Sequence, residues 1–100
     1  MDDFSTPGFN NIYGVPPSPA NFIQPGKRPL SSMTPTVITD KNGNFVFTGG
    51  ASGGTRITTA VATVVTKVLF QNSDLNQAVQ EARLHHQLMP EHIQSGMNVI

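Results

Sequence analysis

The sequence predicts an α+β fold in which a long proline-rich loop precedes one β-hairpin and two helices. Three observations lead to this prediction. Seven of the eight prolines lie within residues 1–35. An Asn42-Gly43 pair separates two runs rich in β-forming residues, and apolar residues recur at helical spacing from Ile57 onward. One hundred residues suffice for one small domain or for part of a larger one.

Residues 1–35 are predicted to form a loop-like or lid-like segment, because prolines and turn signals dominate them. Disordered segments are poor in aromatic residues, so the apolar residues of this segment argue that the loop packs onto another surface. These residues are Phe4, Phe9, Ile12, Tyr13, Phe22 and Ile23. The hairpin and both helices are predicted within residues 36–100, and the whole chain is expected to be a single partial domain.

The hairpin is predicted from strands over residues 36–39 and 45–48, joined by a turn that contains Asn42-Gly43. Pro35 stands just before the first strand, where a missing amide proton is tolerated. The first helix is predicted from the apolar pattern between Ile57 and Leu69, with Thr55 as its N-cap. Its many β-branched residues lower helix propensity, so burial has to stabilise it.

A second helix is predicted after Ser73, which is the expected cap, with Asp74 favourable in the first turn. Residues 84–90 are expected to be extended or irregular. The apolar side of the second helix is predicted to consist of Leu75, Ala78, Val79 and Ala82.

Composition excludes several classes of function. Six basic and six acidic residues give zero net charge without a charge run, which disfavours electrostatic binding of nucleic acids or anionic membranes. Cysteine is absent, which excludes disulfides and thiolate chemistry. The longest apolar-rich segment, residues 57–70, is too short and too polar to span a bilayer. The acidic start at Met1-Asp2-Asp3 lacks the pattern of a targeting signal.

The glycine-rich turn before the first helix is a candidate anion-binding site. Amides at a helix start lack intrahelical partners, and Gly53 and Gly54 have no side chain to block a ligand atom. A tight turn that needs positive φ is the simpler alternative and stays open. A phosphate-binding loop is disfavoured, because Thr55-Arg56 stands where that motif requires Lys-Ser/Thr.

The adjacent hydroxyls of Ser31 and Ser32 are suited to bind a carboxylate, and the carboxylate of Asp3 is suited to bind an ammonium group. Together they would recognise an α-amino acid. The alternatives are a solvated turn for the serines and plain solvent exposure for Asp3. His85 and His86 are adjacent and diverge in direction, so structural or surface roles are favoured over a metal site.

At these residues the sequence closely resembles the γ-glutamyltranspeptidase family, also called glutathione hydrolases. The similarity covers the middle-to-late part of the family's small subunit in family order. Its most specific run is Arg28-Pro29-Leu30-Ser31-Ser32-Met33. The other matching runs are Met1-Asp2-Asp3-Phe4-Ser5, residues 17–23, Pro25-Gly26-Lys27, Pro35-Thr36, Gly53-Gly54, Ile57-Thr58-Thr59, Ala78-Val79 and Arg83-Leu84-His85.

The resemblance implies part of an αββα sandwich of the N-terminal-nucleophile hydrolase type. In this family a precursor cleaves itself, and the new N-terminal threonine attacks the γ-glutamyl carbonyl of glutathione. The acyl group then passes to water, an amino acid or a peptide. The resemblance implies that Asp3 holds the substrate α-amino group and that Ser31 and Ser32 hold its α-carboxylate. It assigns the oxyanion hole to Gly53 and Gly54.

The resemblance also implies partners and a location. Glutathione and other γ-glutamyl compounds are the expected ligands, and the large subunit and the remainder of the small subunit of the same precursor are the expected protein partners. No cofactor, metal or nucleic acid is expected. The implied location is the extracellular side or the plasma-membrane surface.

The family's nucleophilic threonine precedes the matching segment, so this chain is expected to be inactive alone. The alternative is a truncated non-catalytic paralogue that binds a partner or has no function. Met1 coincides with an internal methionine of the family, so it is either a true start or the edge of a longer protein.

Overall fold

The computed structural model describes residues 1–96, which form two compact units. The loop unit consists of Met1–Ser31 and Gln87–His92, and the hairpin–helix unit contains Ser32–His86 and, of the described residues, also 93–96. The division predicted at residue 35 stays a prediction. None of the helices within residues 1–96 has both the length and the apolar character needed to cross a membrane.

The loop unit has little regular structure, as predicted. Its only regular pieces within the described residues are a 3₁₀ helix at Pro19–Asn21 and an isolated antiparallel bridge between Thr6 and Phe9. Local polar contacts hold the loop instead. The buried Ser5 hydroxyl accepts a hydrogen bond from the Ser18 amide at 3.1 Å. Several of the apolar residues that predicted packing remain exposed, namely Phe9, Ile12 and Ile23.

The predicted hairpin is confirmed in the second unit. Strands β1 (Thr36–Thr39) and β2 (Phe45–Gly49) pair antiparallel, with a register irregularity after Ile38. The Asp40 carboxylate accepts hydrogen bonds from the amides of Asn42 and Asn44 at 2.8 and 2.9 Å, which close the turn. The hydrogen bond from the Asn44 side chain, with those backbone amides, holds the pKa of Asp40 below its usual value.

Helix α1 (Ile57–Phe70) confirms the predicted first helix, but the predicted cap is wrong. A 3₁₀ turn at Gly54–Arg56 leads into α1, and Arg56 occupies the cap position with a backbone that is already helical. Thr55 therefore lies inside this turn rather than before it. Its buried hydroxyl has no hydrogen-bond partner among residues 1–96, so it does not satisfy the amides at the helix start.

Helix α2 (Leu75–Gln80) is capped by Asp74 and not by Ser73, which corrects the second cap. The backbone of Asp74 is extended, and its carboxylate accepts from the amides of Asn76 and Gln77 at 2.9 and 3.2 Å. A carboxylate at this position also interacts favourably with the helix dipole. Ala82 lies beyond the end of α2 and is exposed, so its predicted place on the helix is wrong.

The segment after α2 contains a strand. Strands β3 (Arg83–His85) and β4 (Gln94–Gly96) pair antiparallel, with Leu84 opposite Ser95. The extended character predicted from Leu84 is confirmed, while β4 was not predicted, because its residues carry no alternating pattern. The core of this unit is small. Among residues 1–96 the buried hydrophobic residues are Phe47, Ile57, Val61 and Ala78.

We expect the isolated chain to be marginally stable. No large side chain among the described residues is fully buried, while Val37, Phe45 and Leu75 expose more than half of their surface. Two-stranded units are not stable by themselves. A thermal scan by circular dichroism should show a broad or low-temperature transition. A cooperative transition above about 60 °C in a monomeric sample would contradict this expectation.

Candidate functional site

The glycine turn between β2 and α1 adopts a conformation that requires glycine. Gly53 has φ 135° and Gly54 has φ 59°, both positive. A Cβ added at Gly53 would meet only the Arg56 Cβ, at 3.9 Å, so backbone conformation and not crowding makes glycine necessary there. The tight-turn interpretation is therefore correct, and it is compatible with an anion-binding role.

The two glycine amides are unused within the described residues. The Gly53 carbonyl accepts from the Arg56 amide at 3.2 Å, and the Gly54 carbonyl accepts from the Ile57 amide. Neither glycine amide donates a hydrogen bond to any of residues 1–96, and both glycines are exposed. Two adjacent donors at the start of a 14-residue helix are suited to stabilise negative charge on an oxygen atom.

A buried histidine ties β3 to the start of α1. Nδ1 of His85 lies 2.8 Å from the Thr59 hydroxyl oxygen, and this hydroxyl donates to the Arg56 carbonyl at 3.1 Å. The Thr59 hydroxyl thus bridges the His85 ring and the Arg56 carbonyl. His85 is only 7% exposed, which confirms its predicted structural role. This chain of hydrogen bonds supports the backbone that follows the glycine turn.

Two further polar contacts hold the end of α2. Nη1 of Arg83 donates to the carbonyl of Val79 at 2.6 Å, as expected for a cation beside a helix C-terminus. Nζ of Lys67 donates to Oε2 of Glu81 at 2.6 Å, which links α1 to the residue after α2. This hydrogen bond, with a second from Gln77, holds the pKa of Glu81 below its usual value.

Asp3 and Ser31 lie in the loop unit, and both are exposed. Asp3 lies in a turn that is closed by hydrogen bonds from the amides of Phe4 and Ser5 to the Met1 carbonyl, at 3.0 and 3.4 Å. The Asp3 carboxylate has no hydrogen bond or ion pair with any of residues 1–96. It is therefore accessible to an ammonium group.

Ser32 belongs to the hairpin–helix unit, where it is partly buried and precedes β1. Its hydroxyl makes no hydrogen bond to the part of the chain that the structure describes. The structure thus places Gly53 and Gly54 side by side with accessible amides. That Asp3, Ser31 and Ser32 join them in one pocket stays a prediction.

Residues 1–99 match the family model described as Gamma-glutamyltranspeptidase. The chain belongs to the γ-glutamyltranspeptidase family. A scoloptoxin, SSD14 of Scolopendra dehaani, is 54% identical over 94 residues, which are 94% of this chain and 16% of that protein. Glutathione hydrolase proenzyme 2 of Schizosaccharomyces pombe is 52% identical over 91 residues, which are 91% of this chain and 15% of that protein.

A solved structure of a mutant γ-glutamyltranspeptidase from Helicobacter pylori resembles the chain with a TM-score of 0.83 and 41% identity. The similarity covers 95% of this chain and 51% of that chain. It confirms the predicted fold class, in which two helices and small antiparallel sheets form part of the family's αββα sandwich. The chain spans less than a fifth of the two named relatives and about half of the solved chain.

Sequence reasoning missed several residues that surround the glycine turn. The sequence marks Arg56 only as a departure from a phosphate-binding motif, and Thr59 only as part of a run that matches the family. Gln94 carried no signal, yet its Oε1 accepts a hydrogen bond from Nε of Arg56 at 2.8 Å. The signal available for Arg56 was a cation two residues after a glycine pair, just before a helix.

Proposed function

We propose that this chain forms part of the γ-glutamyl pocket and the oxyanion hole of a glutathione hydrolase. The enzyme cleaves the γ-glutamyl bond of glutathione and transfers the acyl group to water, an amino acid or a peptide. The observation that carries the proposal is the pair of accessible amides at Gly53 and Gly54, in a chain of this family. Donors held at such a position stabilise the oxygen that gains charge as the carbonyl is attacked.

The remaining roles follow from charge and hydrogen bonding. Asp3, whose carboxylate is accessible, binds the substrate ammonium group. The hydroxyls of Ser31 and Ser32 donate to the substrate α-carboxylate, and hydrogen bonds to a charged group are stronger than those between neutral groups. The three residues thereby select a γ-glutamyl group over an acyl group without the amino acid end.

The protein partners in this proposal are the remaining parts of the same precursor, which contribute the nucleophilic threonine. The named relatives are about six times as long as the matched segment, which supports this assignment. We also propose that the complete protein acts at the extracellular side or the plasma-membrane surface, on the strength of the family resemblance.

The proposal is testable in a chimera in which this chain replaces the matched 91 residues of the Schizosaccharomyces glutathione hydrolase. The double variant Ser31→Ala, Ser32→Ala should raise KM for a γ-glutamyl anilide by at least about tenfold, with a smaller change in kcat. The hydroxyls bind the α-carboxylate in both the ground state and the transition state, so their loss weakens binding at both stages. Steady-state kinetics with donor titration measure both parameters.

Ser73→Ala is the matched control, because Ser73 is not a cap and its side chain makes no hydrogen bond among residues 1–96. This variant should keep the parent KM. An unchanged KM in a folded double serine variant would remove both serines from the site. A folded chimera without any donor turnover would instead favour the interpretation as a truncated non-catalytic paralogue.

A further inference from the structure

A cavity of about 310 Å³ lies beside the glycine turn within the hairpin–helix unit. Gly53 and Arg56 form one wall, and the residues of β3 and β4 form the opposite wall, among them Arg83 and Gln94. Its volume is at the lower end of the range for small-molecule sites, which is about 300–1,000 Å³. Of the residues with a proposed role in catalysis or donor binding, Gly53 lines this cavity, whereas Asp3, Ser31 and Ser32 do not.

Two arginines line the cavity, and neither has a carboxylate partner among residues 1–96. The Arg56 guanidinium is oriented by Gln94, and Arg83 by the Val79 carbonyl. Neither forms an ion pair with any of residues 1–96, and their remaining N–H groups have no acceptor there. Two like charges that line one cavity repel each other, and a bound anion removes this repulsion.

The carboxylate that also lines the cavity is already engaged. Oε2 of Glu81 bonds to Lys67, and Oε1 accepts from the Gln77 side chain at 2.8 Å. The charge of Glu81 is thus balanced by Lys67, and within residues 1–96 no carboxylate balances the two arginines. A planar carboxylate suits this arrangement, because a guanidinium can donate two parallel hydrogen bonds to it.

We propose that this cavity binds the C-terminal carboxylate of the peptide that exchanges the γ-glutamyl group, with Arg56 as its principal donor. The inference rests on the proposed function, because Gly53 both lines the cavity and contributes an oxyanion amide. An extended dipeptide spans roughly 7 Å, and Gly53, whose amide is proposed to face the reacting carbonyl, lines the same cavity. The incoming acceptor peptide and the leaving peptide share this chemistry.

The test compares peptides that differ only at the C-terminal carboxylate, in the chimera and its Arg56→Gln variant. One arm titrates glycylglycine and its C-terminal amide as acceptors at saturating γ-glutamyl anilide. The other arm compares glutathione with its C-terminal amide as donors. In at least one arm, Arg56→Gln should lower the preference for the free peptide over its C-terminal amide by about ten- to a hundredfold. An effect in the first arm identifies the acceptor peptide as the ligand of the cavity, and an effect in the second arm identifies the leaving peptide.

Lys41→Gln is the matched control, because it removes one exposed positive charge in the hairpin turn, away from the cavity lining. It should leave both preferences unchanged. Arg56→Lys keeps the positive charge but not the bidentate geometry, so its preference for the free carboxylate should be intermediate. If Arg56→Gln does not fold, Arg56→Lys replaces it in the test. A folded Arg56→Gln variant with unchanged preferences in both arms would overturn the proposal.

Calorimetric binding of glycylglycine and its amide to the same chimera needs no turnover. If the chimera is inactive, the proposed function fails, and this measurement still decides the cavity assignment. Tighter binding of the free dipeptide that Arg56→Gln abolishes supports the assignment. Equal binding of the two peptides, or absence of binding, overturns it.

Discussion

Purified alone, the 100-residue chain should release no aniline from a γ-glutamyl anilide above the buffer rate. In the proposed function, the attacking group is a threonine at a newly formed N-terminus that lies outside this segment. Without a nucleophile, an active site retains only its binding and oxyanion contributions, which accelerate reactions far less than the complete site. Continuous absorbance assays at high protein concentration measure the residual rate.

The chimera assayed beside the isolated chain is the positive control, because both contain the same residues of the site. Turnover by the isolated chain that persists through repurification and scales with its concentration would contradict the prediction. Such a result would mean that another hydroxyl of this chain serves as the nucleophile.

In the chimera, Gly54→Ala should lower kcat for a γ-glutamyl anilide by about 10²–10³-fold, with little change in KM. A Cβ at this position obstructs the approach of the substrate oxygen to the two amides, and the lost stabilisation belongs to the transition state. Gly54 has φ 59°, a conformation that alanine adopts at a cost of about 1–2 kcal/mol. Gly53→Ala should show the same kinetic loss with lower stability, since its φ of 135° is a glycine conformation.

The control for backbone strain is Gly43→Ala in the hairpin turn. Gly43 has φ 83°, and a Cβ there would meet no atom within 4 Å, so this variant carries strain without touching the glycine turn. It should lower Tm and leave kcat near that of the parent. Near-native kcat in Gly54→Ala, or a loss of activity that only follows its Tm, would return these glycines to a purely structural role.

Short-range chemistry determined the elements that sequence reasoning predicted correctly. The hairpin follows from Asn42-Gly43 and from the Asp40 side chain, whose hydrogen bonds reach only two to four residues along the chain. Helix α1 follows from the apolar repeat that begins at Ile57. The positive φ of Gly53 and Gly54 likewise depends on the turn itself, so a run of glycines between a strand and a helix was sufficient to predict it.

The errors at the helix starts also have a local cause. Ser73 and Asp74 are both good caps by residue type, so propensity alone could not decide which of them caps α2. Thr55 is also a good cap by residue type, and propensity could not show that it fails to cap α1. The choice depends on which backbone is extended just before the helix. Asp74 is extended there, whereas Thr55 lies within a 3₁₀ turn.

The sequence by itself determined the hairpin, both helices and the glycine turn, because each depends on residues close together in the chain. It also determined the family, through matching runs spread along the chain. Only the tertiary structure decided what surrounds that turn. Thr59 and His85 are 26 residues apart and Arg56 and Gln94 are 38 apart, yet each pair forms a hydrogen bond of 2.8 Å. Contacts of this kind arise when packing brings distant segments together, and no local propensity encodes them, so the arginine-lined cavity became visible only in the folded chain.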